Sequence, residues 1–114
     1  MKKVSTITPS YKSEKYLKGF LSSVAKQTYK NIEIVLDHNE PTDREINTIK
    51  KFNKKYNNIQ QTIIEKVDPI GVSMNRCINK STGEYLCIWN VDDLRTPNSI
   101  ELMANVLDER KDID

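Results

Sequence analysis

Four short segments of the chain carry the β-branched and apolar residues that favour strands. Pro9 is expected to end the first of them, because proline offers no backbone N–H to a strand ladder. The fourth is apolar at consecutive positions, which is typical of a parallel strand covered on both faces. In chain order the predicted strands are Val4–Thr8, Ile32–Leu36, Ile59–Glu65 and Tyr85–Trp89.

Helical periodicity follows each predicted strand. Ser13-Glu14 opens the first helix, and Thr42 with Glu45 predicts a capping box at the start of the second. Ser73 or a neighbour is expected to begin the third helix, which Gly83 ends. Thr96-Pro97 is expected to supply the cap and first position of the fourth. The four apolar faces are Tyr16, Leu17, Phe20, Leu21 and Val24; Ile46, Ile49, Phe52 and Tyr56; Met74 and Ile78; and Ile100, Met103, Ala104 and Leu107.

Strands that alternate with helices predict an α/β fold. We expect a Rossmann-like, mostly parallel sheet with flanking helices and right-handed crossovers. The 114 residues fit one domain over residues 1–114, since ordinary domains run to about 100–150 residues.

Composition and charge remove several function classes. The longest unbroken apolar run, Tyr85–Trp89, has five residues, whereas a membrane-spanning helix needs roughly 20. Eighteen Lys and Arg against sixteen Asp and Glu give a net charge of +2, too small to imply nucleic acid as a partner. Cys77 and Cys87 lack metal-site spacing, so we expect reduced thiols, with Cys87 in the core. No signal peptide follows Met1, and we expect a cytoplasmic location.

Residues that follow the predicted strands are the first candidates for chemistry, because open α/β sheets bind ligands beyond the carboxyl ends of their strands. Asp37 follows the second strand, and Asp92 and Asp93 follow the fourth, so three carboxylates are expected to gather at one edge. Adjacent carboxylates repel each other, and a hard divalent cation such as Mg²⁺ or Mn²⁺ relieves that cost. The alternative is a helix-entry turn, in which Asp is simply favoured.

Other candidate motifs are weaker. The chain has no GxGxxG, GxxxxGK[ST] or GxSxG segment, which argues against a dinucleotide fold, a P-loop and a serine hydrolase. We interpret His38 as a loop residue rather than a base. Tyr11 either covers the sheet edge or offers a stacking surface to a nucleotide base.

Short segments in a fixed order resemble the family-2 glycosyltransferases of the GT-A fold. Val4–Lys12 and Glu14–Leu17 resemble the family's β-branched run, its Pro-x-Tyr-Asn segment and its Tyr-Leu helix. Ser22–Val24, Gln27–Tyr29 and Asn31–Ile34 resemble its Ser-Val, Gln-Thr-Tyr and Glu-Ile stretch.

The later segments carry the acidic part of the resemblance. Asp37 with Thr42-Asp43 is similar to the family's Asp-Asp-Gly-Ser-Thr-Asp turn. Gly83–Leu86, followed by Asp92-Asp93, resembles its Gly-Glu-Tyr strand and acidic metal motif.

The resemblance implies the donor-binding part of a metal-dependent, inverting glycosyltransferase. Such an enzyme transfers a sugar from a nucleoside-diphosphate sugar, usually a UDP-sugar, to a saccharide or lipid acceptor. It implies that Thr8, Pro9 and Tyr11 line the base pocket, that Asp37 accepts a hydrogen bond from the base, that Arg76 reaches the phosphates, that Asp92 contacts ribose or metal, and that Asp93 ligates Mn²⁺ or Mg²⁺. The family's acceptor-binding half and catalytic base follow the metal motif, so we nominate no catalytic residue within this chain and expect both beyond residue 114.

Departures from the family pattern keep alternatives open. Lys12 stands where the family has Asn, His38–Pro41 lacks the turn's second carboxylate and its Gly, and Asn90 stands where the acidic motif often begins. These differences leave room for a non-catalytic binding module, either a degenerate glycosyltransferase domain or a receiver-like domain. The absence of a predicted fifth strand argues against the receiver.

Two surface features also allow more than one interpretation. The lysines at 50, 51, 54 and 55 form either a solvated helix face or a patch for a membrane surface or polyanion. An exposed apolar sheet edge would favour a homodimer or aggregation.

Overall fold

A computed structural model describes residues 1–110 and residue 112. All four strands are parallel, and their order across the sheet is β3-β2-β1-β4. The predicted α/β architecture is therefore confirmed. The elements are β1 Val4–Tyr11, α1 Glu14–Ala25, β2 Ile32–Asn39, α2 Asp43–Tyr56, β3 Ile59–Ile64, α3 Ile70–Lys80, β4 Tyr85–Ile88 and α4 Ser99–Glu109.

The alternation of β2 side chains divides the molecule into two layers. Ile34 and Leu36 belong to the larger core, which joins α1, α2 and α4 on one face of the sheet. Val35 belongs to a smaller core with Cys77 of α3 on the other face. Since neighbouring residues of a strand point to opposite faces, Asp37 and Asn39 face the α3 layer, and His38 faces the α2 layer.

β1 continues through Pro9 to Tyr11, three residues past its predicted end at Thr8. The backbone N–H groups of Tyr85 and Trp89 donate to Lys3 and Ile7, so the odd-numbered residues of β1 direct their hydrogen-bonding groups toward β4. Pairing with β4 ends at Ile7. The missing N–H of Pro9 therefore falls where no partner strand needs it, and β1 still pairs with β2 up to Tyr11.

β4 differs from the prediction of a strand covered on both faces. Leu86 is 48% exposed and Ile88 is 56% exposed, because α3 covers β1 and β2 but not this edge strand. Cys87 faces the larger core and is only partly buried, whereas Cys77 is fully buried. Burial raises the pKa of both thiols, that of Cys77 to about 11, so both are protonated near neutral pH.

Two helix starts and one glycine role also differ from the predictions. α3 begins at Ile70 after Pro69, rather than at Ser73. α4 begins at Ser99, because the segment at Thr96 forms a turn whose carbonyl accepts the Ser99 N–H at 3.0 Å. Gly83 lies beyond the end of α3. None of the helices in the described part of the chain is long and apolar enough to cross a membrane.

Candidate functional site

A groove of about 430 Å³ opens at the carboxyl ends of the strands, and we call it the strand-end groove. Its walls come from the end of β1 with the loop and first turn of α1 that follow, the last residue of β2, the start of α3 with the segment before it, and the turn after β4. A volume of roughly 300–1,000 Å³ is typical of small-molecule sites. The lining residues are Pro9, Ser10, Tyr11, Lys12, Ser13, Tyr16, Asn39, Val67, Asp68, Ile70, Ser73, Asn90, Val91 and Asp92.

The groove brings together some of the residues predicted for it and leaves others outside its walls. Pro9, Tyr11 and Asp92 line it. Tyr11 is 44% exposed, so its ring is accessible from the groove. Thr8 is fully buried, with its hydroxyl 2.8 Å from that of Thr6. Asp37, Arg76 and Asp93 are not among the lining residues.

Asp37 lies beneath the groove rather than in its wall. The carboxylate is 1% exposed and accepts hydrogen bonds from the Ser73 hydroxyl and, at 2.8 Å, from Arg76 Nε. Arg76 Nη2 donates to Asp68 at 2.5 Å. The guanidinium thus bridges two carboxylates and holds Asp68, while Asp37 holds the Ser73 hydroxyl; Asp68 and Ser73 both line the groove.

His38 is a buried strand residue, not the predicted loop residue. Its Nε2 lies 3.0 Å from Glu45 Oε2, and both side chains are at most 1% exposed. Burial opposes ionisation of Glu45, but hydrogen bonds from the Thr42 backbone, His38 and Ser13 outweigh it and lower the Glu45 pKa to about 2. His38 therefore has a structural partner and no access to the groove.

The acidic pair sits in an exposed turn whose backbone is fixed. The Asp93 N–H donates to the Asn90 carbonyl at 3.0 Å, which closes a turn over Asn90–Asp93. The indole Nε1 of Trp89 donates to the Asp93 carbonyl at 2.8 Å. Trp89 is fully buried against Phe20, with ring centroids 5.5 Å apart. A core residue thereby anchors the turn while both carboxylates reach solvent.

The expected gathering of three carboxylates does not occur. Within residues 1–110 and 112, no group of three His, Cys, Asp or Glu side chains is placed to hold a metal ion. The reason is the direction of Asp37, which turns into the α3 layer toward Arg76. Asp92 and Asp93 still fit Mg²⁺ or Mn²⁺ in kind, since such ions take one or two carboxylates together with waters and substrate phosphates.

A larger groove of about 820 Å³ lies between α1 and α2, away from the strand ends. Lys18, Lys26, Arg44, Lys51 and Lys55 line it around an apolar floor. It contains none of the residues predicted for the site. The smaller strand-end groove has the position that ligands take in this fold class, and we regard it as the candidate site.

Comparison with known proteins assigns the chain to a family. The model of the family described as "Glycosyl transferase family 2" matches residues 5–114. The chain belongs to glycosyltransferase family 2. It is 29% identical over 110 residues to the putative glycosyltransferase EpsE of Bacillus subtilis, covering 96% of this chain and 40% of EpsE. It is 30% identical over 112 residues to the poly(ribitol-phosphate) beta-N-acetylglucosaminyltransferase TarS of Staphylococcus aureus, covering 96% of this chain and 19% of TarS.

Solved family structures show the same architecture. Residues 1–349 of S. aureus TarS in complex with UDP superpose with a TM-score of 0.87 at 28% identity, over 96% of this chain and 33% of that one. The mannosyltransferase PcManGT from Pyrobaculum calidifontis, solved with GDP-Man and Mn²⁺, gives a TM-score of 0.83 at 17% identity, over 93% of this chain and 32% of that one. The second likeness concerns the fold alone. The chain spans well under half the length of these relatives.

The Asp-Asp-Gly-Ser-Thr-Asp pattern, which the resemblance begins at Asp37 with a loop one residue longer, can also be laid on residues 38–43 without a gap. That placement puts the pattern's Gly at Glu40 and its second Asp at Asn39. Glu40 has φ 44° and Lys12 has φ 49°. Both lie in the left-handed region, which Gly and Asn tolerate best, and the family's patterns have Gly and Asn at these places.

Asn39 lines the candidate site, although sequence reasoning did not single it out. Its Nδ2 lies 3.2 Å from Ser73 Oγ, and its Oδ1 accepts the Asp68 N–H at 3.1 Å. The amide thus joins the end of β2 to the loop before α3, and both line the groove. The signal for it was present in the gapless alignment ending at Thr42-Asp43.

Proposed function

We propose that this chain is the donor-binding part of a glycosyltransferase whose donor is a nucleoside-diphosphate sugar, with UDP as the nucleotide. The strand-end groove carries the proposal. It lies where ligands bind in this fold class, and its walls come from the segments that match the family's patterns. The structure of TarS residues 1–349 with UDP, at 28% identity and a TM-score of 0.87, supports uracil as the base.

The walls of the groove divide into an aromatic side and a polar side. Tyr11 offers a ring on which a base would stack, and stacking on aromatic side chains does not depend strongly on base identity. Asp68 places a carboxylate in the wall of the groove, and the buried Asn39 amide holds that segment by accepting the Asp68 N–H at 3.1 Å. A carboxylate oxygen accepts a hydrogen bond from an imide N–H such as that of uracil, so Asp68 would select the base. Asp37 would act indirectly, by holding Arg76 against Asp68.

The turn after β4 would hold the metal and the diphosphate. Asp92 lines the groove and Asp93 is its neighbour, so together they would ligate Mn²⁺ or Mg²⁺ on the phosphate side of the donor. The bound cation would supply charge stabilisation for the departing nucleoside diphosphate. Inverting transfer to a saccharide or lipid acceptor belongs to the same proposal for the whole protein, and no acceptor-side base is assigned among the described residues.

Calorimetric titration of the chain with UDP, with and without Mn²⁺, tests this function. We expect binding that requires Mn²⁺ and that weakens about tenfold or more in Asp92→Asn, which removes one ligand charge. Glu109→Gln, a charge-neutralising change outside the groove on α4, is the matched control and should bind like the wild type. Uridine, which lacks phosphates, should bind far more weakly than UDP.

The outcomes are decisive for a chain shown to be folded by circular dichroism. No binding of UDP, with or without Mn²⁺, would refute donor binding and favour a degenerate domain. Equal affinity of the wild type and Asp92→Asn would refute the metal assignment. Tighter binding of GDP or dTDP than of UDP would correct the base.

A further inference from the structure

Two strained turns lie at or next to the strand-end groove. Lys12, in the β1–α1 loop, lines the groove and has φ 49°. Glu40, in the β2–α2 loop, has φ 44° and directly follows Asn39, which lines the groove. A residue with a side chain in the left-handed region costs roughly 1–2 kcal/mol. Each loop therefore needs contacts from elsewhere to keep its shape.

A single carboxylate on α2 supplies those contacts to both loops. Glu45 Oε1 accepts the backbone N–H of Thr42 at 3.0 Å. Glu45 Oε2 accepts the backbone N–H of Ser13 at 3.2 Å and the Ser13 hydroxyl at 2.8 Å. Ser13 directly follows Lys12, and Thr42 is two residues after Glu40, so one side chain restrains the chain just past each left-handed residue.

Helix capping alone does not explain this arrangement. A capping box at the start of α2 needs only the bonds between Thr42 and Glu45, and both are present. The Ser13 bonds connect Glu45 to a loop 32 residues earlier in the chain. Ser13 in turn contacts the hydroxyl of Ser10, which lines the groove. The carboxylate therefore links a wall of the groove to the loop that follows Asn39.

Burial and a fourth donor make this link rigid. Glu45 is 1% exposed, so water does not compete for its oxygens. His38 Nε2 lies 3.0 Å from Oε2, and Gln61 Nε2 lies 3.2 Å from His38 Nδ1. An ionised carboxylate only accepts hydrogen bonds, which assigns the His38 proton to Nε2 and leaves Nδ1 to accept from Gln61. The anchor is thus connected to β2 and β3.

We propose that Glu45 is a positioning residue for the strand-end groove: its buried carboxylate ties the β1–α1 loop, whose Lys12 and Ser13 line the groove, to the β2–α2 loop that follows Asn39, and so sets the position of the wall that would enclose the donor. The identity of that ligand rests on the function proposed above. The holding of the loops does not.

Amide hydrogen exchange of Glu45→Gln tests the link directly. Glutamine has nearly the same shape as glutamate. Its NH₂ group, however, is a donor and replaces one of the two carboxylate oxygens that accept hydrogen bonds here, so some of these bonds are lost. The Ser13 and Thr42 amides donate to Glu45, so their exchange should accelerate about tenfold or more. The amide of Ile34, in the central strand, should change only with global stability. Ile49→Val lowers stability from the same helix without touching these contacts and is the matched control.

UDP affinity in the presence of Mn²⁺ is the second measurement. We expect Glu45→Gln to weaken binding about fivefold to tenfold while Ile49→Val binds like the wild type, at a temperature where all three are folded. Unchanged Ser13 and Thr42 exchange would overturn the proposal. Faster exchange of these amides together with an unchanged UDP affinity would also overturn the proposal, because the contacts of Glu45 would then have no effect on the site.

The failure of each proposal has its own signature. A wild type that binds no UDP refutes the donor site, while the amide measurement still decides whether Glu45 holds the loops. If Glu45→Gln does not fold, Ser13→Ala decides instead. It removes the 2.8 Å bond to Glu45 together with the contact to the Ser10 hydroxyl, and it should loosen the amide at position 13 while sparing that of Thr42. Loosening of both amides, or of neither, would contradict the proposed link.

Discussion

β2 and β4 end at the same edge of the sheet, but their acidic residues are treated in opposite ways. At the end of β2, Asp37, His38 and Asn39 are at most 3% exposed, and each side chain has hydrogen-bond partners. At the turn after β4, Asp92 and Asp93 are exposed, and neither carboxylate makes a hydrogen bond or ion pair with the residues that the structure describes. One end is committed to internal contacts, and the other is available to a ligand.

The difference follows from the position of each strand. β2 is an interior strand covered by α2 on one face and α3 on the other, so a charge at its end is desolvated and requires a partner. β4 is an edge strand with one face open, and its turn keeps two carboxylates in water, where their mutual repulsion is small but unrelieved. A carboxylate at a strand end therefore indicates a ligand only when it is not already paired.

The largest effect expected from this contrast comes from breaking the buried pair. Asp37→Ala leaves the Arg76 guanidinium without one of its two carboxylates and strands the Ser73 hydroxyl. We expect a loss of about 3 kcal/mol in the free energy of unfolding. Asp92→Ala, the same change at the exposed end, should stay within about 0.5 kcal/mol. Urea denaturation of both variants checks the comparison, and similar losses would contradict it.

Low pH should reduce the stabilisation that Glu45, the second buried carboxylate near the end of β2, gives to the fold. The Glu45 pKa is about 2 in the folded chain against 4.5 ordinarily. Because the folded value is the lower one, the stabilisation is fully present above about pH 5 and is lost as the pH falls toward 2. At roughly 1.4 kcal/mol per pKa unit, this difference corresponds to about 3–4 kcal/mol.

Urea denaturation at pH 7, 5, 4 and 3 measures this loss. The stability difference between the wild type and Glu45→Gln should shrink through that range, because the glutamine variant has no carboxyl group there to protonate. Ile49→Val should differ from the wild type by a constant amount. A Glu45→Gln difference that is also independent of pH would rule out an ionised Glu45 as the source.

The beginning of β4 is as tightly packed as its end is open. A Cβ added at Gly83 would meet Ser5 Oγ at 2.5 Å and the Lys3 carbonyl oxygen at 2.8 Å. The Lys3 oxygen is part of the backbone, and the Ser5 hydroxyl accepts the Gly83 N–H at 2.8 Å, so neither atom can move freely. Gly83→Ala should therefore cost about 2 kcal/mol, measured by thermal unfolding. Gly71→Ala, with open space around the site, is the control and should not destabilise the protein.

The order and type of the elements could be predicted from the sequence because periodicity reflects which faces are buried. Element ends could not, because tertiary contacts decide them. Pro9 continues β1 since β4 has already stopped pairing, and α4 starts late since the Thr96 carbonyl is used in a turn. The exposure of Leu86 and Ile88 was not predictable either, because an apolar run does not reveal that a strand lies at an edge.

The edge of the sheet that carries the site could also be predicted, but not the direction of each side chain. Taking Asp37 as a turn residue placed it in the groove, whereas β2 runs to Asn39 and turns Asp37 into the α3 layer. Asp37 and Asn39 are two positions apart, so both side chains lie on the same face of the sheet, but only Asn39 is far enough along the strand to line the groove. Asn39 and Asp68 were missed because neither residue type suggests chemistry without its neighbours.

The smallest expected effect concerns the two left-handed residues beside the groove. Lys12→Asn replaces a residue that tolerates φ 49° poorly by one that tolerates it well, and should raise the free energy of unfolding by about 0.5–1 kcal/mol. Lys15→Asn, on the exposed face of α1, is the matched control and should be slightly destabilising, since Asn is a weaker helix former than Lys. If strain at position 12 is what Glu45 opposes, the gain from Lys12→Asn should be at least as large in the Glu45→Gln background. A smaller gain there would show that the loop already relaxes once the carboxylate is lost.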